Sequence, residues 1–343
     1  MGHVERGEGG AGRGRYAAGG VLALAVVLGT VAAAPPAQAP PPAVEADEAP
    51  RTPGPGWTVD ATNVGLAPLG LDCASLPEYT GTQHPAPGTV IREQRITGEL
   101  DLSAGSIVVE RSCVQPTPGA VPRGEPALST ASWGTHRATP TKVVVRDSEF
   151  DGSLLDGPAE AAYVGPFQGI ADLQRNYVHG FGSGLSLFGT GDHLDALVEH
   201  NYVTDLVAYG DPGTDGNHSS AFTVRDFDGR PDRRLIVRDN RFDEDTANAT
   251  GALFVQPYAG EIRNLLVERN LLEGEGFQLI LQEYEGRSYT GLRAVDNRMT
   301  DTGEGATYAS SGPGWEQWVD NAAYDPDAPD GRGIPVPEPE PWE

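Results

Sequence analysis

LIVRDNRF (residues 235–242), LLVERNLL (265–272) and LRAVDNRM (292–299) repeat one pattern along the C-terminal half of this chain. Each segment opens on mainly apolar residues, reaches an Asn after one or two charged residues, and ends with an apolar residue. Short β-branched or aliphatic runs of this kind are typical of strands. Recurrence of the same strand ending indicates one structural unit that the chain uses repeatedly.

The same pattern extends toward the N-terminus, with Ser or Asn at the shared position. Four further segments align, Ile107–Val114, Val143–Phe150, Leu173–Val178 and Leu197–Val203. The shared column is Ser112, Ser148, Asn176, Asn201, Asn240, Asn270 and Asn297. Its steps of 36, 28, 25, 39, 30 and 27 residues fit equal coils interrupted by loops of different length, which a solenoid tolerates. We therefore predict an all-β fold, a single-stranded right-handed parallel β-helix, in which stacked Asn side chains hydrogen-bond from coil to coil.

A second set of strands precedes four of these Asn residues. Alternation places two columns in the core, Leu185, Phe222, Leu253 and Leu279, and Leu187, Val224, Val255 and Leu281. The positions between them then face outward, as Phe188, Arg225, Gln256 and Gln282 beside Ser186, Thr223, Phe254 and Ile280. Parallel strands lie about 4.8 Å apart, so these columns offer regularly spaced donors and apolar patches to an extended chain such as a polysaccharide. We predict Phe188, Arg225, Phe254, Gln256 and Gln282 as substrate-binding residues. The alternative is that a segment around Trp315 and Trp318 covers this face.

Segments outside the repeats indicate export. Residues 1–34 carry arginines before a short apolar stretch and predict a signal peptide, with an uncleaved anchor as the alternative. Residues 35–56 predict a Pro/Ala-rich linker, 57–310 the β-helix, and 311–343 a cap followed by a disordered acidic, Pro-rich tail. We expect a secreted, extracellular monomer without a membrane anchor after cleavage.

Charge and cysteine content narrow the function. A formal net charge of -25 disfavours nucleic acid and anionic membranes as partners and favours neutral or cationic ligands. The chain has two cysteines, Cys73 and Cys113, and in an oxidising compartment these are expected to form a disulfide. Two unpaired buried thiols are the alternative.

The run from Gly88 to Met299 resembles secreted actinobacterial right-handed β-helix repeat proteins of the pectin-lyase-like superfamily. The resemblance covers roughly two thirds of the chain and is carried by GTVIREQRITGELDLSAGSIVVERSCV (88–114), VVVRDSEFDG (143–152), RNYVHGFGSGL (175–185) and the later Asn-ended strands. It implies the fold but not the activity, since that fold hosts lyases, hydrolases, epimerases and noncatalytic binders. Members with a His-X-Asp-Gly-Ile pattern resemble residues 218–222, where Ser220 stands in place of the acid.

Candidate catalytic residues lie in and after a long insertion. A lyase or epimerase needs a base for the proton beside a uronate carboxyl and a cation to neutralise that carboxyl, and His218, Arg225 and Asp215 are the candidates. Arg225 begins an Arg-rich stretch that acidic residues interrupt, so a salt-bridged surface is the alternative. A hydrolase needs two facing carboxylic acids, and we find no convincing pair. Asp205, Asp211 and Asp215 offer oxygen ligands for a possible calcium ion, the one cofactor considered.

Two functions follow from these residues. The first is polysaccharide binding along the exposed strand face without turnover, and the second is a polysaccharide lyase or C5-epimerase acting on a uronate-containing glycan. The Ser220 replacement favours the first.

Overall fold

The computed structural model describes residues 53–131, 141–189, 194–227, 232–309 and 312–340. All of them belong to one compact unit, residues 48–343. The predicted signal peptide and residues 35–52 of the predicted linker lie outside the described residues. Among the residues described, no helix has the length and apolar character that crossing a membrane requires.

Three long sheets, here called sheets I, II and III, make up the unit. Sheet I contains β1 (Val90–Arg92), β4 (Val108–Glu110), β7 (Val144–Arg146), β10 (Asp172–Gln174), β13 (Ala196–Glu199), β16 (Leu235–Arg238), β20 (Leu265–Glu268), β24 (Arg293–Val295) and β27 (Gln317–Val319). Sheet II contains β2 (Arg95–Ile96), β5 (Cys113–Val114), β8 (Glu149–Asp151), β11 (Tyr177–His179), β14 (Tyr202–Val203), β17 (Arg241–Glu244), β21 (Leu271–Gly274), β25 (Arg298–Met299), β28 (Ala322–Tyr324) and β29 (Arg332–Pro335). Sheet III contains β3 (Leu100–Asp101), β6 (Pro126–Ser129), β9 (Gly165–Gly169), β12 (Leu185–Leu187), β15 (Ser219–Val224), β18 (Ala249–Val255), β22 (Phe277–Leu281) and β26 (Gly305–Ala309).

Eight coils contribute one strand to each sheet, the last coil contributes only β27 and β28, and the parallel neighbours in a sheet belong to successive coils. Every pairing in the three sheets is parallel except that of β28 with β29. This is the predicted right-handed parallel β-helix. The remaining elements are short: β19 (Ile262–Arg263) paired with β23 (Tyr289–Thr290), α1 (Gly157–Ala161), and 3-10 turns at Gly56–Thr58, Ala67–Leu69, Cys73–Ser75 and Pro329–Gly331.

The predicted polar ladder lies at the bend between sheets I and II. Asn201 Nδ2 donates to Asn240 Oδ1 (2.9 Å), and Asn240 Nδ2 donates to Asn270 Oδ1 (2.9 Å). Each ladder amide also donates to a backbone carbonyl of the preceding coil, as from Asn240 to Val198 (2.9 Å). The column is fully buried, so these bonds satisfy polar groups that water cannot reach.

The residue before each ladder position has left-handed backbone geometry. This column has φ between 51° and 58° and consists of Glu93, Arg111, Asp147, Arg175, His200, Asp239, Arg269, Asp296 and Asp320. Such geometry costs a side-chain-bearing residue roughly 1 kcal/mol, and here neighbouring coils offset it with opposite charges. Arg175 donates to both carboxylate oxygens of Asp147 (2.6 and 2.9 Å), and Arg269 does the same to Asp239 (2.8 Å each). The bend is therefore made by the residue preceding the Asn rather than by the Asn itself.

The core consists of stacked apolar columns. Leu185, Phe222, Leu253 and Leu279 align in register and are at most 1% exposed. Leu187, Val224, Val255 and Leu281 form the second predicted column, each 0% exposed. Both predictions are confirmed. Burial of apolar surface contributes roughly 25 cal/mol per Å², so these columns stabilise the coil stack.

The segment from residue 53 to 79 is not a coil but a strap that runs along the bend from late coils to early ones. Gly56 N donates to Arg269 O (2.9 Å), Gly65 N to Arg175 O (2.9 Å), and Tyr79 N to Arg95 O (2.8 Å). The strap approaches so closely that a Cβ on Gly56 would overlap the Asn240 carbonyl. The predicted disulfide between Cys73 and Cys113 is present and joins the strap to β5, with the two Cα atoms 5.3 Å apart.

The helix continues past residue 310, where the sequence analysis ended it. Asn297 Nδ2 donates to Asn321 Oδ1 (2.9 Å), so Asn321 adds a rung to the ladder. The following chain is ordered into β29, which pairs antiparallel with β28, and Val336 O accepts from Trp318 Nε1 (2.9 Å). These contacts cover the edge of β28, so part of the acidic tail is folded rather than disordered.

Candidate functional site

The outer face of sheet III carries the residues that alternation predicted to point outward. Ser186, Thr223, Phe254 and Ile280 align in register along β12, β15, β18 and β22. Arg225 N bonds to Leu187 O (2.9 Å) and Gln256 N to Val224 O (3.0 Å), so these residues continue the ladder just after the strands end. Parallel pairing therefore brings residues about 30 positions apart in sequence to adjacent places on one surface.

A cleft of about 500 Å³ opens on this face, and we call it the central cleft. Its lining is His218, Ser220, Arg225, Thr250, Phe254, Gln256, Tyr258, Gln282 and Tyr284. Four of the five predicted substrate-binding residues and the candidate His218 are thus brought together. None of the lining residues is acidic, although the whole chain has a net charge of -25.

The central cleft continues in both directions along the helix axis. A polar arm shares His218, Ser220 and Arg225 with it and adds, among others, Gln168, Ser186, Thr223 and Tyr163. An aromatic arm shares Thr250, Phe254 and Gln282 with it and adds Ala249, Phe277, Ile280, Glu304 and Tyr308. The resulting groove crosses the strands from β9 to β26, which at about 4.8 Å per strand is about 24 Å. That length suits an extended ligand.

Arg225 is the cation of the central cleft. Its guanidinium lies 4.8 Å from the ring centroid of Phe254 and 5.9 Å from that of Tyr258, within the range of cation–π attraction. Burial lowers the pKa of Arg225 to about 10, with Tyr258 acting in the opposite direction, so the group stays charged at neutral pH. Among the described residues no carboxylate pairs with it.

Two glutamines extend the polar contacts of Arg225 across the next two coils. Arg225 Nη1 donates to Gln256 Oε1 (2.6 Å), and Gln256 Nε2 donates to Gln282 Oε1 (2.7 Å). Register explains the row, because the three residues follow β15, β18 and β22 at equivalent positions. We call this row the amide column.

His218 is held at the edge of the cleft by its neighbours in sequence. Asn217 Nδ2 donates to Gly182 O and Val207 O (2.9 Å each), and Asn248 Nδ2 donates to Asn217 Oδ1 (3.0 Å). Ser219 then starts β15. The imidazole is exposed and has no hydrogen-bond partner among the described residues.

Phe188 does not belong to this surface. It is 0% exposed, whereas alternation predicted it to face the ligand. β12 ends at Leu187, and Gly189 N then donates to the Asp226 carboxylate, so the chain turns and alternation no longer applies at Phe188. The prediction that Phe188 is a ligand contact is therefore corrected, and Phe188 belongs to the core.

The three acids predicted to hold calcium are not gathered into a site. Asp211 Oδ1 accepts from Gly213 N (2.8 Å) in a loop turn, and Asp215 touches the polar arm only through its backbone, where Tyr163 Oη donates to it (2.6 Å). Asp205 lies at a left-handed turn. Among the described His, Cys, Asp and Glu residues, only Cys73, Glu149 and Asp151 form a group of three whose potential metal-ligand atoms lie within 4.8 Å of one another. Cys73 is already bonded in the disulfide. The geometry thus gives no support to calcium at Asp205, Asp211 and Asp215.

The Arg-rich stretch after Arg225 is not one positive patch. Arg238 pairs with Glu199 (2.8 Å) and Arg241 with Glu273 (2.6 Å). Arg233 is buried over the Phe227 ring at 3.9 Å. The predicted alternative, a salt-bridged surface, therefore describes Arg238 and Arg241 but not Arg225.

Sequence reasoning missed the aromatic wall of the central cleft. Tyr258 and Tyr284 contact each other with ring centroids 4.6 Å apart, and Tyr258 is 42% exposed. Both lie in turns two residues after the amide-column positions Gln256 and Gln282. This equal offset from Gln256 and Gln282 is the sequence signal that could have identified the two tyrosines. Trp315 and Trp318, expected as a possible cover, do not line the groove, since Trp318 belongs to β27 of sheet I.

Comparison with family models, with curated proteins and with solved structures finds no match to this chain.

Proposed function

We propose that this chain is an extracellular β-helix protein that binds polysaccharide along the groove of sheet III, without turnover. The observation that carries the proposal is the continuity of the groove across six coils, with polar, cationic and aromatic side chains in register. Aromatic faces pack on the C–H faces of sugar rings, while amide and guanidinium donors bind their oxygens. A globular small molecule needs an enclosed pocket, whereas this groove is open and long.

The extracellular location is part of the proposal. The disulfide fits an oxidising compartment, and the apolar N-terminal stretch has the character of a signal peptide. A soluble glycan or cell-surface polymer is the kind of ligand available there.

Affinity electrophoresis through gels containing neutral and acidic glycans tests this function. We expect retardation by at least one glycan and its loss in Tyr258→Ala, because Tyr258 is exposed and its removal leaves the core intact. Arg234→Ala, at an exposed arginine outside the groove, is the matched control and should be retarded like the wild type. Equal mobility of wild type and Tyr258→Ala in every gel would contradict the proposal.

A second candidate, a polysaccharide lyase or C5-epimerase, rests on one observation, the presence in the same cleft of His218 and of Arg225, which pairs with no carboxylate of the described residues. Arg225 would neutralise a uronate carboxylate while His218 takes or returns the proton beside it. Ser220 occupies the place at which an acid would otherwise stand beside His218, and the part of the chain that the structure describes brings no carboxylate into the central cleft to replace it.

Absorbance of the unsaturated product, followed during incubation with polyuronates, detects a lyase, and NMR of the polymer detects epimerisation. A rise in absorbance that Arg225→Ala abolishes would favour the enzyme over the binder. The absence of both signals, together with retardation in the gels, is the outcome expected for a binder.

A further inference from the structure

We infer that Arg225 sets the orientation of both glutamines in the amide column, so that this column presents donors to the groove and selects a glycan whose acidic units are separated by neutral ones. This inference rests on the proposed polysaccharide binding and names the ligand class.

The orientation follows from the donor inventory. A guanidinium carries donors and no acceptor, so Gln256 must turn its oxygen toward Arg225. The distance from Arg225 Nη1 to Gln256 Oε1 is 2.6 Å. The amide nitrogen of Gln256 then points along the column to Gln282 Oε1 at 2.7 Å. Gln282 is left with its own nitrogen facing the groove, where no described residue accepts from it. One charged residue thereby determines the polarity of two neutral ones.

The consequence is a surface that binds acceptors. The N–H groups of Arg225 that donate to no described residue bind an anionic group, and the Gln282 amide donates to a second acceptor two coils further on, about 10 Å away. An ammonium group brings only donors and meets the guanidinium as a like charge, so amino sugars are disfavoured. This revises the expectation from net charge alone, which favoured neutral or cationic ligands.

The number of charges limits how acidic the ligand is. Arg225 is the one arginine or lysine among the described residues that line the central cleft, and the chain carries a net charge of -25. A chain with a carboxylate on every sugar would bring several anions to one guanidinium in a repelling field. A glycan with one acidic unit between neutral sugars satisfies Arg225 and places neutral rings on Tyr258 and Phe254.

Binding to four probes tests the inference, namely gellan, whose glucuronates are separated by neutral sugars, alginate, dextran and chitosan. We expect gellan to be bound most tightly, alginate and dextran more weakly, and chitosan least. Equal or tighter binding of alginate, dextran or chitosan would overturn the inference while leaving polysaccharide binding in place. Failure of the wild type to bind any glycan would overturn both.

Gln256→Glu is the decisive variant, because it keeps the shape of the side chain. Its carboxylate would neutralise Arg225 and offer Gln282 no donor, so we expect at least about tenfold weaker gellan binding, the scale of a lost charge-assisted hydrogen bond. Gln317→Glu, on the exposed face of sheet I, makes the same charge change outside the groove and should bind like the wild type. With unchanged thermal unfolding, undiminished gellan binding by Gln256→Glu would overturn the inference.

Discussion

Glu244 is a buried acid at the end of β17, next to the strand that presents His218 and Ser220. It is 0% exposed, and Thr246 Oγ1 donates to its Oε1 (2.9 Å). Burial raises the pKa of Glu244 from 4.5 to about 8, outweighing the hydrogen bond from Thr246 that lowers it. Folding therefore favours the protonated form of this side chain.

This residue predicts a pH dependence of stability. Between pH 4.5 and about 8 the unfolded chain releases the Glu244 proton while the folded chain keeps it. The contribution of Glu244 to the free energy of unfolding therefore falls as pH rises. Glu244→Gln should remove this pH dependence. The unfolding free energy of the variant minus that of the wild type should then increase by up to about 1.4 kcal/mol for each pH unit across this range. Urea titrations across this range measure the difference. Glu316→Gln, at an exposed acid, should show no such trend, and a parallel response of Glu244→Gln and wild type would contradict the assignment.

At the scale of the element, the strands are too short to be stable alone and depend on columns that cross the coils. On the outer face of sheet I, a column of charged side chains crosses the coils. The Glu110 carboxylate lies between the guanidinium nitrogens of Arg92 (2.6 Å) and Arg146 (2.5 Å) of the neighbouring coils. Burial acts to raise the pKa of Glu110, but the hydrogen bonds from both arginines prevail and lower it. Each coil is thus tied to the next by side chains as well as by backbone bonds.

The Asn ladder gives the element-scale prediction. Asn240→Ala removes the acceptor for Asn201 and the donor for Asn270 in a fully buried column, so we expect the free energy of unfolding to fall by about 3 kcal/mol. Ser112→Ala, near the other end, loses only hydroxyl bonds and should cost about 1 kcal/mol. Chemical denaturation of the two variants measures both values. A cost for Asn240→Ala no larger than for Ser112→Ala would show that the ladder is not a stabilising feature.

At the scale of the whole molecule, the coil stack is a one-dimensional assembly in which each coil contacts mainly its neighbours. The strap is the exception, because it contacts Arg269, Arg175, Cys113 and Arg95 in turn. It therefore links coils that have no other direct contact. The disulfide fixes one end of the strap to an early coil.

Removal of the disulfide is the prediction at this scale. Cys73 and Cys113 are 40 residues apart, and closing a loop of that size stabilises the fold by about 4 kcal/mol in the chain-entropy estimate. The Cys73→Ala, Cys113→Ala double variant should unfold at lower denaturant and be cleaved first by protease between residues 57 and 79. Groove binding should persist in native conditions, since no groove residue contacts the bridge. Unfolding at the wild-type denaturant midpoint would show that the strap is held without the bridge.

The sequence by itself determined the repeat, the parallel β-helix, the two core columns and the disulfide. The repeat and the core columns follow from local periodicity and from the strand endings. Because most coils carry the same signals in their own sequence, their agreement leaves few alternative folds. The sequence also placed Arg225, Phe254, Gln256 and Gln282 on one face, because alternation holds for as long as a strand continues.

Only the tertiary structure decided where alternation stops and what the loops bring together. Phe188 is core because β12 ends one residue earlier. Asn321 extends the ladder although the preceding strand, β27, has no fully buried residue. The strap, the Tyr258–Tyr284 wall and the separation of Asp205, Asp211 and Asp215 depend on contacts between residues far apart in sequence. Such contacts follow from the register and length of whole coils, which no short stretch of sequence encodes.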